Sequence, residues 1–267
     1  MEAIQEVLER IRRTRNAGTS TVSQSEARTA SSGGADCALC GDKGWYLKIK
    51  DGREFGGICK CVEIRASLQR IEKSGLGGLL EDCTFDTFIV SEDWQNTAKT
   101  AAMRFAESQP QKKSSWLFLG GQVGAGKTHL CTAVVGHMMN KGNTAKYMLW
   151  RDASVRLKSL VNDDEAYAEE IEPFKTADIL YIDDFFKTAR DKSPTAGDIN
   201  LAFEILNFRY IRQESVTIIS SELIIDEIKK LDEAVASRIY QRTTKEYRVE
   251  VNHIKERNYR FYGQNLF

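Results

Sequence analysis

The chain has 267 residues, 42% of them hydrophobic, which is enough for one α/β domain of ordinary size and a small additional module. Lys and Arg together number 38, and so do Asp and Glu, so the zero net charge excludes a polycation. Any nucleic-acid binding must therefore come from a local patch, or from patches aligned by oligomerisation. No apolar run approaches the roughly eighteen residues of a membrane helix, and the N-terminus lacks the apolar core of a signal peptide, so we expect a cytoplasmic protein without a membrane partner.

Four segments follow one another along the chain. Apolar residues at helical spacing predict an amphipathic helix over residues 1–16, and the Ser-, Thr-, Gly- and Ala-rich residues 17–35 predict a flexible linker. A cysteine-bearing module with a connecting helix is predicted over 36–76, and an α/β domain over 84–267.

The cysteine-bearing module has the ligand spacing of a metal site. A Cys-x-x-Cys pair followed by glycine precedes a predicted hairpin and a Cys-x-Cys pair, which together supply Cys37, Cys40, Cys59 and Cys61. Four thiolates suit tetrahedral zinc, and a segment so short needs a staple in order to fold. An iron–sulfur cluster uses the same ligands and stays open as an alternative, as does a redox pair.

Beyond residue 84, apolar runs of strand length alternate with helical patterns. The predicted strands are SSWLFLGG, AKYMLW, DILYIDDFF, SVTIISSE and YRVEV. Helical patterns are predicted from about 152 to 176, over 195–212 and in the segment IIDEIKKLDEAVASRIYQRT. Strands that alternate with helices predict a five-stranded parallel sheet covered on both faces.

The glycine-rich stretch after the first of these strands matches the Gly-x-x-x-x-Gly-Lys-Thr pattern of a triphosphate-binding loop. Its glycines let backbone N–H groups turn toward phosphates, its lysine neutralises phosphate charge and its threonine hydroxyl binds Mg²⁺. The strand before it and the helix after it supply the required context. The predicted ATP-binding residues are Gly121, Gln122, Val123, Gly124, Ala125, Gly126, Lys127 and Thr128.

Two acids and two hydroxyls end later strands and are candidates for the same site. We expect Asp183, on a strand neighbouring the loop, to bind Mg²⁺ with Thr128, and Asp184 to orient and deprotonate an attacking water. Either acid could instead cap the following turn. Ser220 and Ser221 end the next strand, where a hydroxyl can touch the γ-phosphate or serve as an ordinary turn residue.

Arg238 lies on the last long predicted helix, four residues before Arg242. An arginine there can reach the γ-phosphate of a neighbouring subunit and stabilise transition-state charge. The alternative is a solvated basic helix face.

The order GQVGAGKT, LYIDDF, TIISSE and SRIYQR resembles the AAA+ ATPases, and more narrowly the DnaC/DnaI-type helicase loaders, over about residues 84–262. The resemblance implies a five-stranded AAA+ P-loop NTPase core that oligomerises as a spiral or ring. It identifies Gly121–Thr128 as Walker A, Asp183 with Asp184 as Walker B, Ser221 as sensor I and Arg238 as the arginine finger. Only 25 residues follow Arg242, too few for a lid domain, as in these loaders.

The resemblance implies an ATP hydrolase of DNA replication that binds a hexameric DnaB-type helicase and loads it onto single-stranded DNA. Its cofactors would be ATP, Mg²⁺ and Zn²⁺. Two alternatives are an IstB-type transposition-helper ATPase and an adaptor in which ATP acts as a switch with negligible turnover. The preferred DNA contact is the segment after Walker B, with Phe185, Phe186, Lys187, Arg190 and Lys192.

Overall fold

The structure is a computed structural model that divides into two units, Met1–Glu72 and Lys73–Phe267. The predicted N-terminal helix and linker, as well as Cys37, Cys61 and Arg190, lie outside the described residues. Among the residues that are described, no helix has the length and apolar character to cross a membrane. The described residues are 40, 43–50, 53–59, 62, 66, 69, 73, 75–108, 116–141, 143–188, 192–212 and 215–262.

The first unit contains the predicted hairpin. Strand β1 (Trp45–Lys50) pairs antiparallel with β2 (Arg53–Ile58), so that Trp45 lies opposite Ile58 and Lys50 opposite Arg53. The hairpin therefore brings the chain that enters β1 and the chain that leaves β2 to the same end.

The second unit is built on a five-stranded sheet in the order β4-β5-β6-β3-β7, and every neighbouring pair is parallel. This confirms the predicted parallel sheet. The strand that leads into the glycine-rich loop, β3, is separated from the acid-bearing strand β5 by β6. The strands are β3 (Trp116–Gly121), β4 (Ala145–Leu149), β5 (Ile179–Phe185), β6 (Val216–Ser221) and β7 (Arg248–Val251).

The α-helices of the second unit follow the predicted alternation with the strands. In chain order they are α1 (Gly77–Asp82), α2 (Asp93–Ser108), α3 (Lys127–Asn140), α4 (Trp150–Ser159), α5 (Asp164–Thr176), α6 (Ala196–Ile211), α7 (Ile225–Leu231), α8 (Glu233–Arg242) and α9 (Tyr259–Tyr262).

Each of two predicted helical stretches consists of two helices, and an aspartate caps the second helix of each pair. Within residues 224–243, Asp232 is extended and accepts the Val235 N–H at 2.7 Å, which starts α8. In the same way Asp163 accepts the Ala166 N–H at 3.1 Å and separates α5 from α4. A capping side chain satisfies backbone donors that a continuing helix would use internally.

Helices cover both faces of the sheet because each strand points alternate side chains to opposite sides. Trp116 and Phe118 of β3 join a core with residues of α4, α5, α6, α7 and α8. Leu117 and Leu119 are equally buried and lie outside that cluster, while α2 and α3 pack against each other and the sheet. The glycine-rich loop therefore emerges from a strand that is fixed on both faces.

One fully buried cation, Arg209, connects the amino-terminal end of β6 to the helices that pack on the sheet. The Arg209 side chain of α6 donates to Thr217 Oγ1 at 2.9 Å and to the carbonyl oxygens of Lys175, Ala177 and Val216 at 3.0, 2.9 and 2.6 Å. Burial lowers the pKa of Arg209 to about 9, so the guanidinium remains charged at neutral pH. The cation thus joins the end of α5 to the start of β6.

Replacing this cation should destabilise the fold. We expect Arg209→Leu to lower the free energy of unfolding by about 3 kcal/mol, because the substitution leaves several buried acceptors without a donor. Arg104→Leu is the matched control, since its ion pair with Glu246 is largely exposed and should contribute less than about 1 kcal/mol. Urea denaturation measures both, and equal effects would contradict the structural role of Arg209.

Candidate nucleotide site

Three glycines, one at the end of β3 and two in the loop after it, adopt left-handed backbone conformations that side chains rarely allow. Gly121, Gly124 and Gly126 have φ values of +98°, +73° and +80°. A Cβ atom at Gly121 would lie 1.9 Å from the carbonyl oxygen of Val251, and one at Gly126 would lie 2.6 Å from the Phe88 ring. Glycine is therefore required by both conformation and space. The loop ends at the N-terminus of α3, where backbone N–H groups are available to an anion.

Lys127 opens α3, and its ammonium lies inside the loop. Nζ donates to the carbonyl oxygens of Gly121 at 2.8 Å and Gln122 at 2.7 Å. Burial lowers the pKa of Lys127 to about 8, although Glu222 and Asp184 oppose the decrease. The protein thus positions an incompletely compensated cation in a loop shaped for phosphates.

Asp183 is the acid that connects this loop to the rest of the sheet. Its carboxylate is 4% exposed and accepts hydrogen bonds from Thr128 Oγ1 at 3.0 Å and from the Tyr147 hydroxyl at 3.0 Å. The Ser220 hydroxyl donates to the same carboxylate. A hydroxyl and a carboxylate in contact are oxygen ligands of the kind that Mg²⁺ prefers, so Thr128 and Asp183 fit a magnesium site.

The expectation that this acid lies on a strand neighbouring the loop is wrong. Strand β6 lies between β3 and β5, and the hydroxyl of its Ser220 contacts the Asp183 carboxylate. This contact follows from the order of the strands in the sheet, which the order of the strands along the chain does not reveal.

Asp184, the expected base, has an unusual backbone and an ion-paired side chain. Its φ is +53°, and its N–H donates to Ser220 Oγ at 3.2 Å. Lys187 Nζ lies 3.0 Å from Asp184 Oδ2 and 2.7 Å from Glu222 Oε1. Burial by itself would lower the pKa of Lys187, but the hydrogen bonds to Glu222 and Asp184 outweigh it and raise that pKa.

Glu222 is a candidate functional residue that the sequence analysis missed. It directly follows β6, pairs with Lys187 and is the strongest charge opposing the pKa decrease of Lys127. Its position in the sequence could have identified it, because Glu222 ends TIISSE at the carboxyl end of a predicted strand. Parallel sheets place ligand-binding residues at that end of their strands.

Ser221, the expected sensor, is fully buried and bonded to backbone groups. Its hydroxyl donates to the carbonyl oxygen of Phe185 at 2.8 Å and accepts the Leu223 N–H at 3.1 Å. Of the two serines, it is Ser220 whose hydroxyl contacts the Walker B acid.

Arg238 lies on α8 and is held against α6. Its Nε donates to Asn207 Oδ1 at 3.0 Å, and its guanidinium lies 4.3 Å from the centre of the Phe203 ring. Nη1 donates to the carbonyl oxygen of Ala234 at 2.8 Å. These contacts hold a half-buried guanidinium between α8 and α6.

The aromatic part of the expected DNA contact is contradicted by burial. Phe185 and Phe186 are 0% and 3% exposed and stack on each other, and both rings meet Trp150 edge-on. These rings belong to the core and are not available to stack on bases. Of the basic residues in this segment, Lys187 is ion-paired and Lys192 is exposed.

Two of the four predicted metal ligands are described. Cys40 and Cys59 are buried, and each is followed by a turn in which its carbonyl oxygen accepts an N–H three residues later, from Lys43 and Val62. The Cys59 N–H also donates to the carbonyl oxygen of Gly44 at 2.8 Å, which joins the two ends of the hairpin. Within the described residues, no group of three or more metal-ligating side chains is present.

Comparison with known sequences identifies relatives of this chain. A family model of the bacterial DnaA ATPase domain matches residues 79–244. The phage-like element PBSX protein XkdC of Bacillus subtilis (strain 168) is 30% identical over 215 residues, covering 77% of this chain and 79% of XkdC. The chromosomal replication initiator DnaA of Caldanaerobacter subterraneus subsp. tengcongensis is 33% identical over 181 residues, covering 66% of this chain but only 39% of that initiator.

Solved structures show the same fold. The DnaC helicase loader superposes with a TM-score of 0.53 at 21% identity, covering 66% of this chain and 98% of that one. DnaA from Aquifex aeolicus with bound AMPPCP superposes with a TM-score of 0.52 at 20% identity, covering 66% and 52%. The sheet and its helices therefore have the AAA+ P-loop architecture.

The low pKa of Lys127 predicts proton uptake on ATP binding. As the pH rises through about 8, the free loop loses this proton, and bound phosphates should restore it because they stabilise the ammonium. We expect little uptake at about pH 7, about half a proton at pH 8, and weaker ATP affinity at higher pH.

Isothermal titration calorimetry in buffers of different ionisation enthalpy measures this uptake. Lys229→Met, on the exposed end of α7, should behave as wild type. Proton uptake that does not change with pH across this range would contradict the account.

Proposed function

Because the chain belongs to the family of bacterial DnaA ATPase domains, we propose that it is a cytoplasmic, ATP-dependent replication protein that loads a hexameric replicative helicase onto single-stranded DNA. The observation that carries the proposal is the contact of 3.0 Å between Thr128 and Asp183, beside the buried ammonium of Lys127. The fold it shares with a protein named as the DnaC helicase loader supports loading as the use of this site.

The residues of the site divide the work of ATP hydrolysis. Lys127 and the loop N–H groups bind the phosphates, and Thr128 with Asp183 would hold Mg²⁺, which neutralises charge on the transferring phosphoryl group. Asp184 accepts a proton from water as the water oxygen attacks the γ-phosphorus, and the bond to ADP breaks. Hydrolysis consumes one water and releases ADP and phosphate.

A second copy of the chain would complete the site through Arg238. The guanidinium contacts Asn207 and Phe203, which fix its direction without neutralising its charge. A positive charge brought to the γ-phosphate stabilises the transition state more than the bound ATP. The proposed protein is therefore a homo-oligomer whose turnover depends on assembly.

The zinc site is part of the proposal. The turns after Cys40 and Cys59 and the hairpin that joins them fit one half of a four-thiolate site. Cys37 lies three residues before Cys40, and Cys61 lies two residues after Cys59. Zinc would there stabilise the small module. Metal analysis of the purified chain should find about one zinc per chain, lost in Cys59→Ser. Iron in place of zinc would establish an iron–sulfur cluster. The absence of both zinc and iron would exclude the proposed metal site.

The DNA contact would be electrostatic. Exposed Arg151, Lys192 and Lys230 line a groove of about 720 Å³ beside the Walker B segment. The two acids of the groove are already bonded, Glu222 to Lys187 and Glu227 to the Ile224 N–H. The remaining positive charge suits a single-stranded phosphate backbone. Lys192→Glu should therefore weaken the binding of the chain to a single-stranded oligonucleotide. Unchanged binding would contradict the assignment of this groove as the DNA contact.

Helicase loading tests the proposal directly. With ATP, the purified chain should form a stable complex with a DnaB-type hexamer and increase its loading onto circular single-stranded DNA. Lys127→Ala should abolish the stimulation, because it removes the cation that binds the phosphates. A chain that binds ATP but neither binds the helicase nor changes its loading would overturn the function, and binding to duplex DNA and a transposase would favour the IstB-type alternative.

Arg238→Ala tests the proposed role of the second copy. We expect ATP affinity within about twofold of wild type and a decrease in assembly-dependent turnover of about a thousandfold. Turnover measured against protein concentration separates the two effects, and Arg104→Ala on α2 serves as the control. Wild-type turnover that does not depend on concentration would exclude an arginine in trans.

A further inference from the structure

Lys187 joins two carboxylates at the carboxyl end of the sheet. Its Nζ lies 3.0 Å from Asp184 Oδ2 and 2.7 Å from Glu222 Oε1. The three side chains are 33%, 29% and 31% exposed, so solvent screens these ion pairs only in part. The ammonium therefore occupies an oxygen atom of the carboxylate that the proposed function uses as a base.

The backbone holds this arrangement in a sparsely populated conformation. Asp184 and Phe186 have φ values of +53° and +62°, in the left-handed region that residues other than glycine seldom adopt. Phe186 is buried against Trp150 and Phe185, which fixes the chain immediately before Lys187. Such backbone persists only where the surrounding packing requires it, and it often accompanies a functional constraint.

We propose that Lys187 is a brake on ATP hydrolysis: it pairs with Asp184 and Glu222 and must leave Asp184 before that carboxylate can deprotonate water. The inference rests on the proposed function of Asp184 as the base. The ammonium contacts Oδ2, one of the two oxygen atoms through which Asp184 would accept a proton from water, so a water molecule cannot bond to that atom while Lys187 stays in place. Lys187 is thus a positioning residue that acts through Asp184.

The surroundings of Lys187 allow the release. Lys187 lines the open groove of about 720 Å³, so its flexible side chain has space to leave Asp184. Glu222 lies on the neighbouring strand end and can keep the ammonium close while Asp184 is free. The exposed cations of the same groove would attract an anionic ligand, and such a ligand would also compete for Lys187.

A structural role for the same ion pairs makes a different prediction. Partly exposed ion pairs contribute little to stability, so loss of Lys187 should leave the fold intact. If the pairs were only structural, turnover would be unchanged or would decrease with stability. A brake instead requires turnover to increase while ATP affinity stays constant.

Lys187→Met provides the test in the full chain. We expect its turnover number at saturating ATP to exceed wild type by about three- to tenfold, with the dissociation constant of a fluorescent ATP analogue changed less than about twofold. Lys187→Arg keeps a cation between the two acids and should turn over more slowly than Lys187→Met. Lys229→Met is the matched control, because it removes an exposed lysine that pairs with Glu233.

A second variant shows whether the increase in turnover of Lys187→Met requires Asp184. Adding Asp184→Asn to Lys187→Met should abolish the increase. Turnover of Lys187→Met at or below the wild-type value would overturn the brake while leaving the proposed function intact. An increase that survives Asp184→Asn would overturn both the brake and the assignment of Asp184 as the base. ATP binding without hydrolysis in both the wild type and Lys187→Met would overturn the brake and the proposed hydrolysis together.

Discussion

The carboxylate of Asp183 is the point on which the arrangement of the site depends. It belongs to β5, and it accepts hydrogen bonds from Thr128 on α3, Tyr147 on β4 and Ser220 on β6. A carboxylate that is 4% exposed is costly to bury unless donors compensate its charge. Three side-chain donors do so here, and by doing so they fix the positions of four structural elements relative to one another.

The cations around this acid have different relations to the phosphate site. Lys127 is buried, bonds to backbone carbonyl groups and has a lowered pKa, so phosphates would stabilise its charge. Lys187 already has two carboxylate partners and a raised pKa. Arg238 lies on α8 and bonds to Asn207 of α6, and in the proposed function it acts on the nucleotide of a second copy of the chain. The proposals thus assign phosphate binding, restraint of the base and transition-state stabilisation to three separate residues.

Local patterns in the sequence predicted the sheet, the glycine-rich loop and the acid-bearing strand because each depends on short-range periodicity and spacing. The capping role of Asp232 was missed because its flanking residues continue a helical pattern. The contacts of Ser220 and Ser221 depend on the order of the strands in the sheet and on the side of β6 that each residue faces. The order of the elements along the chain predicts neither of these features. Phe185 and Phe186 were wrongly interpreted as exposed because the ring that buries them, Trp150, lies far away in sequence.

A crystal structure with AMPPCP and Mg²⁺ would show directly whether this loop and Asp183 hold a triphosphate and its metal. We expect the metal at about 2.1 Å from Thr128 Oγ1, with Asp183 in contact with its water ligands. We also expect Lys127 Nζ to move from the carbonyl oxygens of Gly121 and Gln122 to the phosphates. A triphosphate bound elsewhere, or a metal remote from both Thr128 and Asp183, would contradict the assignment of this site.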